Sequence, residues 1–154
     1  IKGLDEELNE SVINKKKPIY GICAGMQLFG TTGYEEKETP GLNWIEGDIV
    51  RIRTGSNNLK IPHMGWNELE IKNSTKVFEN VHDKSHAYFI HSYEFLPKNK
   101  KVVSLSTNYG KEIVAAVCHN NIYGSQFHPE KSQTTGIEIL TSFLKIWKFS
   151  QLST

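Results

Sequence analysis

The stretch PIYGICAGMQ, residues 18–27, constrains the fold more than any other part of the 154-residue chain. It begins with an apolar run of strand length, which predicts a buried parallel strand. The pattern then becomes typical of a helix, and the change occurs at Cys23, which is followed by Ala24 and lies between Gly21 and Gly25. The turn leaves two interpretations open: Cys23 is either a small residue in a tight bend or a side chain presented at the tip of the bend.

The order of the predicted elements indicates the fold class. Residues 4–14 repeat apolar side chains every four positions, as one face of a helix does. A second helix follows Cys23, and strand-like segments rich in Val, Ile, Tyr and Phe fill residues 44–53, 63–72, 85–95, 101–109, 112–120 and 121–127. The sequence CHNNIYG predicts a tight hairpin, and a last helix has the predicted core stripe Ile137, Leu140, Leu144 and Trp147. This order predicts one α/β domain whose sheet has a mostly antiparallel extension.

Composition excludes several function classes. The chain has 18 basic and 17 acidic residues, so its net charge of +1 implies no strong field for nucleic acid or anionic lipid. No apolar run approaches the roughly eighteen residues that a membrane helix needs. Two cysteines, Cys23 and Cys118, do not form a disulfide framework, which favours a reducing, cytoplasmic setting. We expect Cys118 to be a small core residue.

The Gly-x-Cys-x-Gly turn predicts a reactive thiol. Small residues beside the cysteine let a strained backbone hold the side chain out at the turn. At the N-terminus of a helix the free N–H groups stabilise a thiolate, so we expect the pKa of Cys23 to fall. The N–H of Ala24 would face the oxygen of an attacked carbonyl group.

The sequence QFHPEKSQ, residues 126–133, supplies what an activated cysteine needs. His128 and Glu130 are two residues apart, so in an extended segment kept straight by Pro129 both side chains point the same way. Glu130 would then hold the imidazole in one tautomer, with its other nitrogen facing Cys23. A surface His-Pro-Glu turn is the alternative for this stretch alone. The joint occurrence with the cysteine turn predicts a Cys-His-Glu triad.

Two motifs resemble known sequences. GICAGMQLF and YGSQFHPEKSQ resemble the nucleophile and histidine–glutamate motifs of class I glutamine amidotransferases. PHMGWNEL, YFIHSYEF and the lysine of HPEKS narrow the resemblance to the glutaminase subunits of imidazole glycerol phosphate synthase. The similarity extends over essentially the whole chain. It implies a flavodoxin-like α/β fold.

The resemblance also implies roles for individual residues. Cys23 would attack the side-chain amide of glutamine, His128 would act as general acid and base, and Glu130 would orient it. Glu35 would hold the substrate amino group, although Glu36 beside it leaves the register open. The substrate-binding residues implied in this way are Ala24, Gln27, Glu35, His91 and Ser92. Neither a cofactor nor a metal is implied.

A partner protein follows from the same resemblance. The family docks onto a (β/α)8-barrel synthase subunit, and ammonia passes through the barrel to form imidazole glycerol phosphate and AICAR in histidine biosynthesis. The heterodimer interface implied for this chain contains His63, Met64, Trp66, Asn67, Tyr88 and Lys131.

One departure from the family pattern concerns the start of the chain. Family members begin with a strand and a later Pro-Gly-x-Gly loop that supplies an oxyanion donor, and the sequence contains neither. We therefore expect residues 1–154 to be a single amidotransferase domain without its N-terminal part. We expect the full-length protein to be active and this stretch alone to be feeble or inactive.

Other functions remain open from the sequence. A homologous glutaminase could serve another partner, such as an enzyme that aminates a surface sugar. A cysteine hydrolase acting alone would not need the HMGWN segment or Lys131. A non-catalytic partner-binding module fits the absence of the oxyanion segment.

His82, His86 and His91 lie within ten residues, but their spacing is not that of a zinc site. Four aromatic residues are expected in the core: Tyr20, Phe127, Phe143 and Trp147.

Overall fold

The computed structural model describes residues 3–54 and 59–152. Its helices are α1 (Leu4–Asn9), α2 (Ala24–Gln27) and α3 (Gln133–Leu152), with a π-helical turn at Glu10–Asn14 and 3-10 turns at Lys100–Val102 and Pro129–Lys131. Its strands are β1 (Ile19–Ile22), β2 (Thr32–Gly33), β3 (Thr39–Pro40), β4 (Gly47–Arg51), β5 (His63–Glu68), β6 (Glu70–Ile71), β7 (His86–His91), β8 (Tyr93–Pro97), β9 (Val103–Asn108), β10 (Glu112–His119) and β11 (Ile122–Ser125).

The strands form three sheets. A five-stranded sheet has the order β1-β11-β10-β9-β6, a four-stranded sheet has the order β3-β2-β4-β8, and β5 pairs with β7. The pairs β1–β11 and β2–β4 are parallel, and the other pairs are antiparallel. The α/β class with an antiparallel extension is therefore confirmed. The hairpin predicted from CHNNIYG joins β10 to β11, and Asn120 takes the positive φ of 55° that such a tight turn favours.

Two apolar clusters enclose the five-stranded sheet. One cluster lies under α3 and contains Phe89, Leu105, Phe127 and Ile139. The other contains Met26 from α2, Phe29 from the turn after it, Ile49 and Phe95 from the four-stranded sheet, and Val12 from the π-helical turn. Strands β10 and β11 supply side chains to both clusters, so both faces of these strands are packed in the core.

The predicted core stripe of the last helix is wrong. Ile137, Leu144 and Trp147 are exposed, and Leu140 is half-buried. The helix instead buries Ile139 and packs Phe143 and Ile146 against the first cluster. Gly136 fixes this rotation, because a Cβ there would lie 1.8 Å from the Pro129 carbonyl oxygen. Tyr20, Phe127 and Phe143 do pack in or against the core, as predicted.

Candidate active site

The backbone of Cys23 forms a strained turn between β1 and α2. Its φ of 52° and ψ of −109° lie outside the regions that residues with a Cβ usually adopt. Its N–H donates to the Ser125 carbonyl at 2.7 Å, which ties the turn to the end of β11. A Cβ at position 21 would lie 2.6 Å from the Gly25 backbone, so the close contact between β1 and α2 requires a glycine there. Gly25 itself has open space where its Cβ would be, so crowding does not explain that glycine.

His128 and Glu130 are paired just beyond β11. His128 Nδ1 lies 2.7 Å from Glu130 Oε1, as the sequence predicted. The predicted extended segment is wrong, because Pro129–Lys131 is a 3-10 turn and only His128 is extended. The turn brings the carboxylate back onto the ring. Ser132 fixes the same loop, since its hydroxyl donates to the His128 carbonyl at 2.6 Å and accepts from Tyr88 N–H.

Parallel pairing places the two motifs at one edge of the sheet. β1 and β11 pair with Gly21 opposite Gly124 and Ile22 opposite Ser125, so both strands end at the same edge. This carboxyl edge of parallel strands is where α/β proteins form ligand sites. Strand β7 also borders the site, because the Cys23 sulfur lies 3.9 Å from the Ile90 carbonyl oxygen and His128 N–H donates to the Tyr88 carbonyl.

Two glutamine side chains form a hydrogen-bonded chain that ends at the sulfur. Gln126, fully buried, has its Nε2 at 3.5 Å from Cys23 Sγ, and its Oε1 accepts from Gln27 Nε2 at 3.0 Å. Gln27 Nε2 also donates to the Tyr93 carbonyl at 3.0 Å. The sequence interpretation missed Gln126. A polar amide inside the apolar run YGSQF was the available signal, because a buried amide needs partners.

The predicted fall in the pKa of Cys23 is wrong. Burial of the thiol raises its pKa, and the nearby Glu130 charge adds to the rise. Hydrogen bonds from the Ala24 N–H and the Gln126 side chain lower the pKa, but they do not outweigh burial. The helix that follows Cys23 has only four residues, so few aligned peptide dipoles act on the sulfur. The resting side chain is therefore a thiol that requires a base.

A cavity of about 300 Å³ opens beside the thiol. It brings together four residues predicted for the substrate site, and Pro62, Ile90 and Tyr93 complete its wall around Cys23. Those four residues are Gln27, Glu35, His91 and Ser92. Ala24 lies next to this cavity and lines a neighbouring one of about 540 Å³, to which Glu35 and Glu36 also contribute. Glu35 therefore lines both cavities, and Glu36 lines only the neighbouring one.

The residues predicted at a partner interface divide between two faces of the β5–β7 ribbon. Met64 and Trp66 are exposed, and Trp66 packs edge-on against Tyr88 with ring centroids 5.9 Å apart. The exposed Lys131 places its Nζ 5.8 Å from the centre of the Tyr88 ring.

His63 and Asn67 lie on the opposite face of the ribbon from Met64 and Trp66, because side chains alternate along a strand. His63 is buried between the rings of Phe89 and Tyr109. Asn67 donates to the Asn108 carbonyl at 2.8 Å.

Residues 3–54 and 59–152 contain no group of three His, Cys, Asp or Glu side chains arranged to hold a metal ion. None of the helices in these ranges is both long and apolar enough to cross a bilayer.

Cys118 is half-buried in β10 and packs against the first apolar cluster, where burial raises the pKa of its thiol.

Comparison with known proteins agrees with this geometry. A family model described as glutamine amidotransferase class-I matches residues 3–147. The chain belongs to the class-I glutamine amidotransferase family. Within this family it belongs with the HisH relatives and is an enzyme. Imidazole glycerol phosphate synthase subunit HisH of Pelagibacter ubique is 50% identical over 146 residues, covering 95% of this chain and 70% of that protein.

A second HisH protein and a solved structure extend the comparison. The subunit from Cereibacter sphaeroides is 43% identical over 146 residues, which cover 95% of this chain and 68% of that protein. A solved glutamine amidotransferase structure superposes with a TM-score of 0.68 at 22% identity, covering 95% of this chain and 69% of that one. At this identity the superposition shows the shared amidotransferase fold.

Proposed function

We propose that this chain supplies the glutaminase activity of an imidazole glycerol phosphate synthase of the HisH type, in histidine biosynthesis. It would hydrolyse glutamine to glutamate and ammonia. The observation that carries the proposal is the strained turn of Cys23 at the same sheet edge as the His128–Glu130 pair, with a cavity beside the sulfur. The HisH relatives support the choice of this branch of the family.

The first step is proton removal from the thiol. Glu130 accepts a hydrogen bond from His128 Nδ1–H, which leaves Nε2 of the ring as the base. Because burial raises the pKa of Cys23, the base must remove its proton as the sulfur attacks the amide carbon of glutamine. The carbonyl oxygen becomes an oxyanion, and the Ala24 N–H at the start of α2 is a donor for it.

The intermediate then collapses. His128 returns the proton to the leaving nitrogen, so ammonia departs and a γ-glutamyl thioester remains on Cys23. Water, deprotonated by the same ring, attacks the thioester carbon. The C–S bond breaks, the thiol regains a proton, and glutamate leaves.

Substrate binding would use the polar residues of the cavity. Both Nε2 protons of Gln27 are engaged by Tyr93 and Gln126, so its Oε1 is the atom that would accept from a bound glutamine. Glu35, at the rim of the same cavity, would pair with the substrate ammonium group. The half-buried Ser92 offers a hydroxyl group in the same wall.

Ammonia would pass to a (β/α)8-barrel synthase subunit. The docking surface that we propose is the exposed face of the β5–β7 ribbon, formed by Met64, Trp66, Tyr88 and Lys131. Ile90 on β7 connects this face to the sulfur, because its carbonyl lies 3.9 Å from Cys23 Sγ. Aromatic side chains near the centre of an interface with a basic residue beside them are typical of strong binding sites.

The test uses the full-length protein assembled with its synthase subunit. Cys23→Ala should abolish synthesis that depends on glutamine, while synthesis from added ammonium salt continues at the wild-type rate. Cys118→Ser is the matched control and should preserve both reactions. Retained glutamine hydrolysis in Cys23→Ala would refute the nucleophile. Loss of the ammonia reaction would refute the division of labour between the two subunits.

A further inference from the structure

Two buried histidines form a hydrogen-bonded chain behind the active site. His63 on β5 and His91 at the end of β7 are 2% and 6% exposed, and their ring nitrogens, His63 Nδ1 and His91 Nε2, are 3.0 Å apart. Asn67 Nδ2 lies 3.2 Å from His63 Nε2 at one end. His91 Nδ1 lies 2.8 Å from the Tyr93 carbonyl oxygen at the other end. Buried polar groups in such a chain must pair donors with acceptors.

The partners at the two ends fix every proton in this chain. A carbonyl oxygen only accepts, so His91 Nδ1 carries a proton and, in the neutral ring, Nε2 is the acceptor. At the other end, Asn67 Oδ1 accepts from the Glu68 N–H, so its amide nitrogen faces His63 and donates to Nε2. His63 must then carry its proton on Nδ1. Both ends therefore require the same central bond, from His63 Nδ1–H to His91 Nε2.

The chain continues from the Tyr93 carbonyl to the sulfur. That oxygen also accepts from Gln27 Nε2, whose second proton goes to Gln126 Oε1. Gln126 Nε2 then donates to Cys23 Sγ at 3.5 Å. The Tyr93 carbonyl therefore links the histidine pair to the two hydrogen-bonded amides, of which the Gln126 amide contacts the sulfur.

We propose that the His63–His91 pair is a positioning relay for Cys23, which fixes the backbone carbonyl that orients the two amides at the sulfur. This inference rests on the proposed glutaminase function. It gives the buried His63 a positioning role that is separate from partner binding by the exposed face of the ribbon. If the Gln126 amide is displaced, the Cys23 thiolate that forms when the thiol loses its proton lacks the hydrogen bond from this amide. Both rings must stay neutral for the relay to hold, and burial lowers the pKa of each to about 4.

The variants separate the donor of His63 from its ring. His63→Asn keeps a donor nitrogen at the δ position but loses both ring stacks. His63→Phe keeps an aromatic ring between Phe89 and Tyr109 but has no donor. A packing role alone predicts that the Asn variant is the more damaged. The relay predicts the opposite order.

The assay measures glutamine hydrolysis by the full-length protein bound to its synthase subunit, at a temperature where each variant is folded by circular dichroism. We expect His63→Phe to lose roughly tenfold to a hundredfold in kcat with a smaller change in KM, as misplacement of reacting groups does. His63→Asn should stay within roughly threefold of the wild type. His82→Phe, at an exposed histidine, is the matched control. Equal or reversed order of the two His63 variants overturns the relay.

A second measurement does not depend on a variant that folds. Nitrogen-15 spectra of the imidazole rings at pH 7 should show both His63 and His91 as neutral, Nδ1-protonated tautomers, with exposed His82 as the reference. An Nε2-protonated tautomer at either position overturns the relay. Activity that persists in Cys23→Ala would instead refute the proposed glutaminase itself, so the two failures are distinguishable.

Discussion

At the scale of single residues, the surroundings of Cys23 explain why the thiol needs several partners. Burial opposes the thiolate, and the nearby Glu130 charge opposes it further. The Ala24 N–H and the Gln126 amide act in the other direction. A thiol with a raised pKa is protected from oxidation and becomes a nucleophile when a base takes its proton. In the proposed mechanism, the reaction therefore depends on the position of His128.

Gln126 provides the prediction at this scale. In a Cys118→Ser background, the rate of Cys23 alkylation by iodoacetamide should rise with pH around a pKa above the ordinary thiol value. Gln126→Leu removes the amide donor, so the inflection should move to still higher pH. Glutaminase kcat/KM should fall roughly tenfold or more, since a hydrogen bond to a charged group is lost.

The matched control for this experiment is Gln151→Leu, at an exposed position of α3, whose alkylation profile should match that of the parent. An inflection in Gln126→Leu that stays in place or moves to lower pH would contradict the assigned role of the amide.

The sequence predicted part of this site for a physical reason. The pairing of His128 with Glu130 was predictable because the two residues are close in sequence and the chemistry requires them together. Gln126 was not, because its contacts with Gln27 and Cys23 span 99 and 103 residues and depend on how β1 pairs with β11. The pKa of Cys23 depends on burial, which a local motif does not encode.

At the scale of elements, the alternation of side chains along the β5–β7 ribbon divides one sequence motif between two faces. The segment HMGWN was interpreted as one interface block, yet side chains along a strand alternate between two faces. Met64 and Trp66 point outward, while His63 and Asn67 face the interior and the β9–β10 turn. The strand period was visible in the sequence and would have separated these two sets.

Helix α3 presents two apolar stripes, and its sequence does not say which one is buried. Ile139 is 1% exposed and Ile137 is 65% exposed, although they are the same residue type two positions apart. The close approach of Gly136 to the Pro129 carbonyl decides the rotation. That contact forms only after the 3-10 turn at Pro129–Lys131 is in place, so periodicity alone could not reveal it.

The matched isoleucines give the prediction for this element. Ile139→Ala in the 154-residue chain should lower the free energy of unfolding by about 2–5 kcal/mol, because a buried side chain leaves a cavity. Ile137→Ala should change it by about 0.5 kcal/mol or less, as exposed substitutions do. Urea unfolding followed by circular dichroism measures both. Equal losses, or a larger loss for Ile137→Ala, would show that the other stripe is buried.

At the scale of the whole molecule, buried polar contacts join the separate sheets. Glu94 on β8 is 1% exposed, and its Oε1 lies 2.5 Å from Lys111 Nζ in the turn between β9 and β10. No well-aligned hydrogen bond reaches either Glu94 oxygen within the described residues, so the lysine charge is what compensates this carboxylate. His91 at the end of β7 lies 2.8 Å through its Nδ1 from the Tyr93 carbonyl oxygen of β8, which joins the β5–β7 ribbon to the four-stranded sheet.

The fold class was predictable at this scale, and the division into sheets was not. The order of helices and strands predicted an α/β domain, because chain order limits which strands can be neighbours. Which strands share a sheet depends on contacts such as β4 with β8, which lie far apart in the sequence. The residues that join the sheets, Glu94 and Lys111, were singled out by no local pattern.

Acid should weaken the fold through the buried histidine pair. The pKa of each ring is lowered from 6.5 to about 4 in the folded chain, first of all by burial. Between these values the unfolded chain binds protons that the folded chain does not, so the free energy of unfolding falls as the pH is lowered through this window. Each such proton contributes about 1.4 kcal/mol per pH unit.

Urea unfolding of the 154-residue chain between pH 7 and pH 4 measures this slope. His63→Asn removes one of the two linked groups, so its slope should be shallower than that of the wild type by up to one proton. His82→Asn, at an exposed histidine, should retain the wild-type slope. Carboxylates that titrate in the same range affect all three chains alike, so the differences between the chains report on the histidine pair. Identical slopes for His63→Asn and the wild type would show that folding does not lower the pKa of His63, which would contradict a pair that stays neutral as the pH falls through this window.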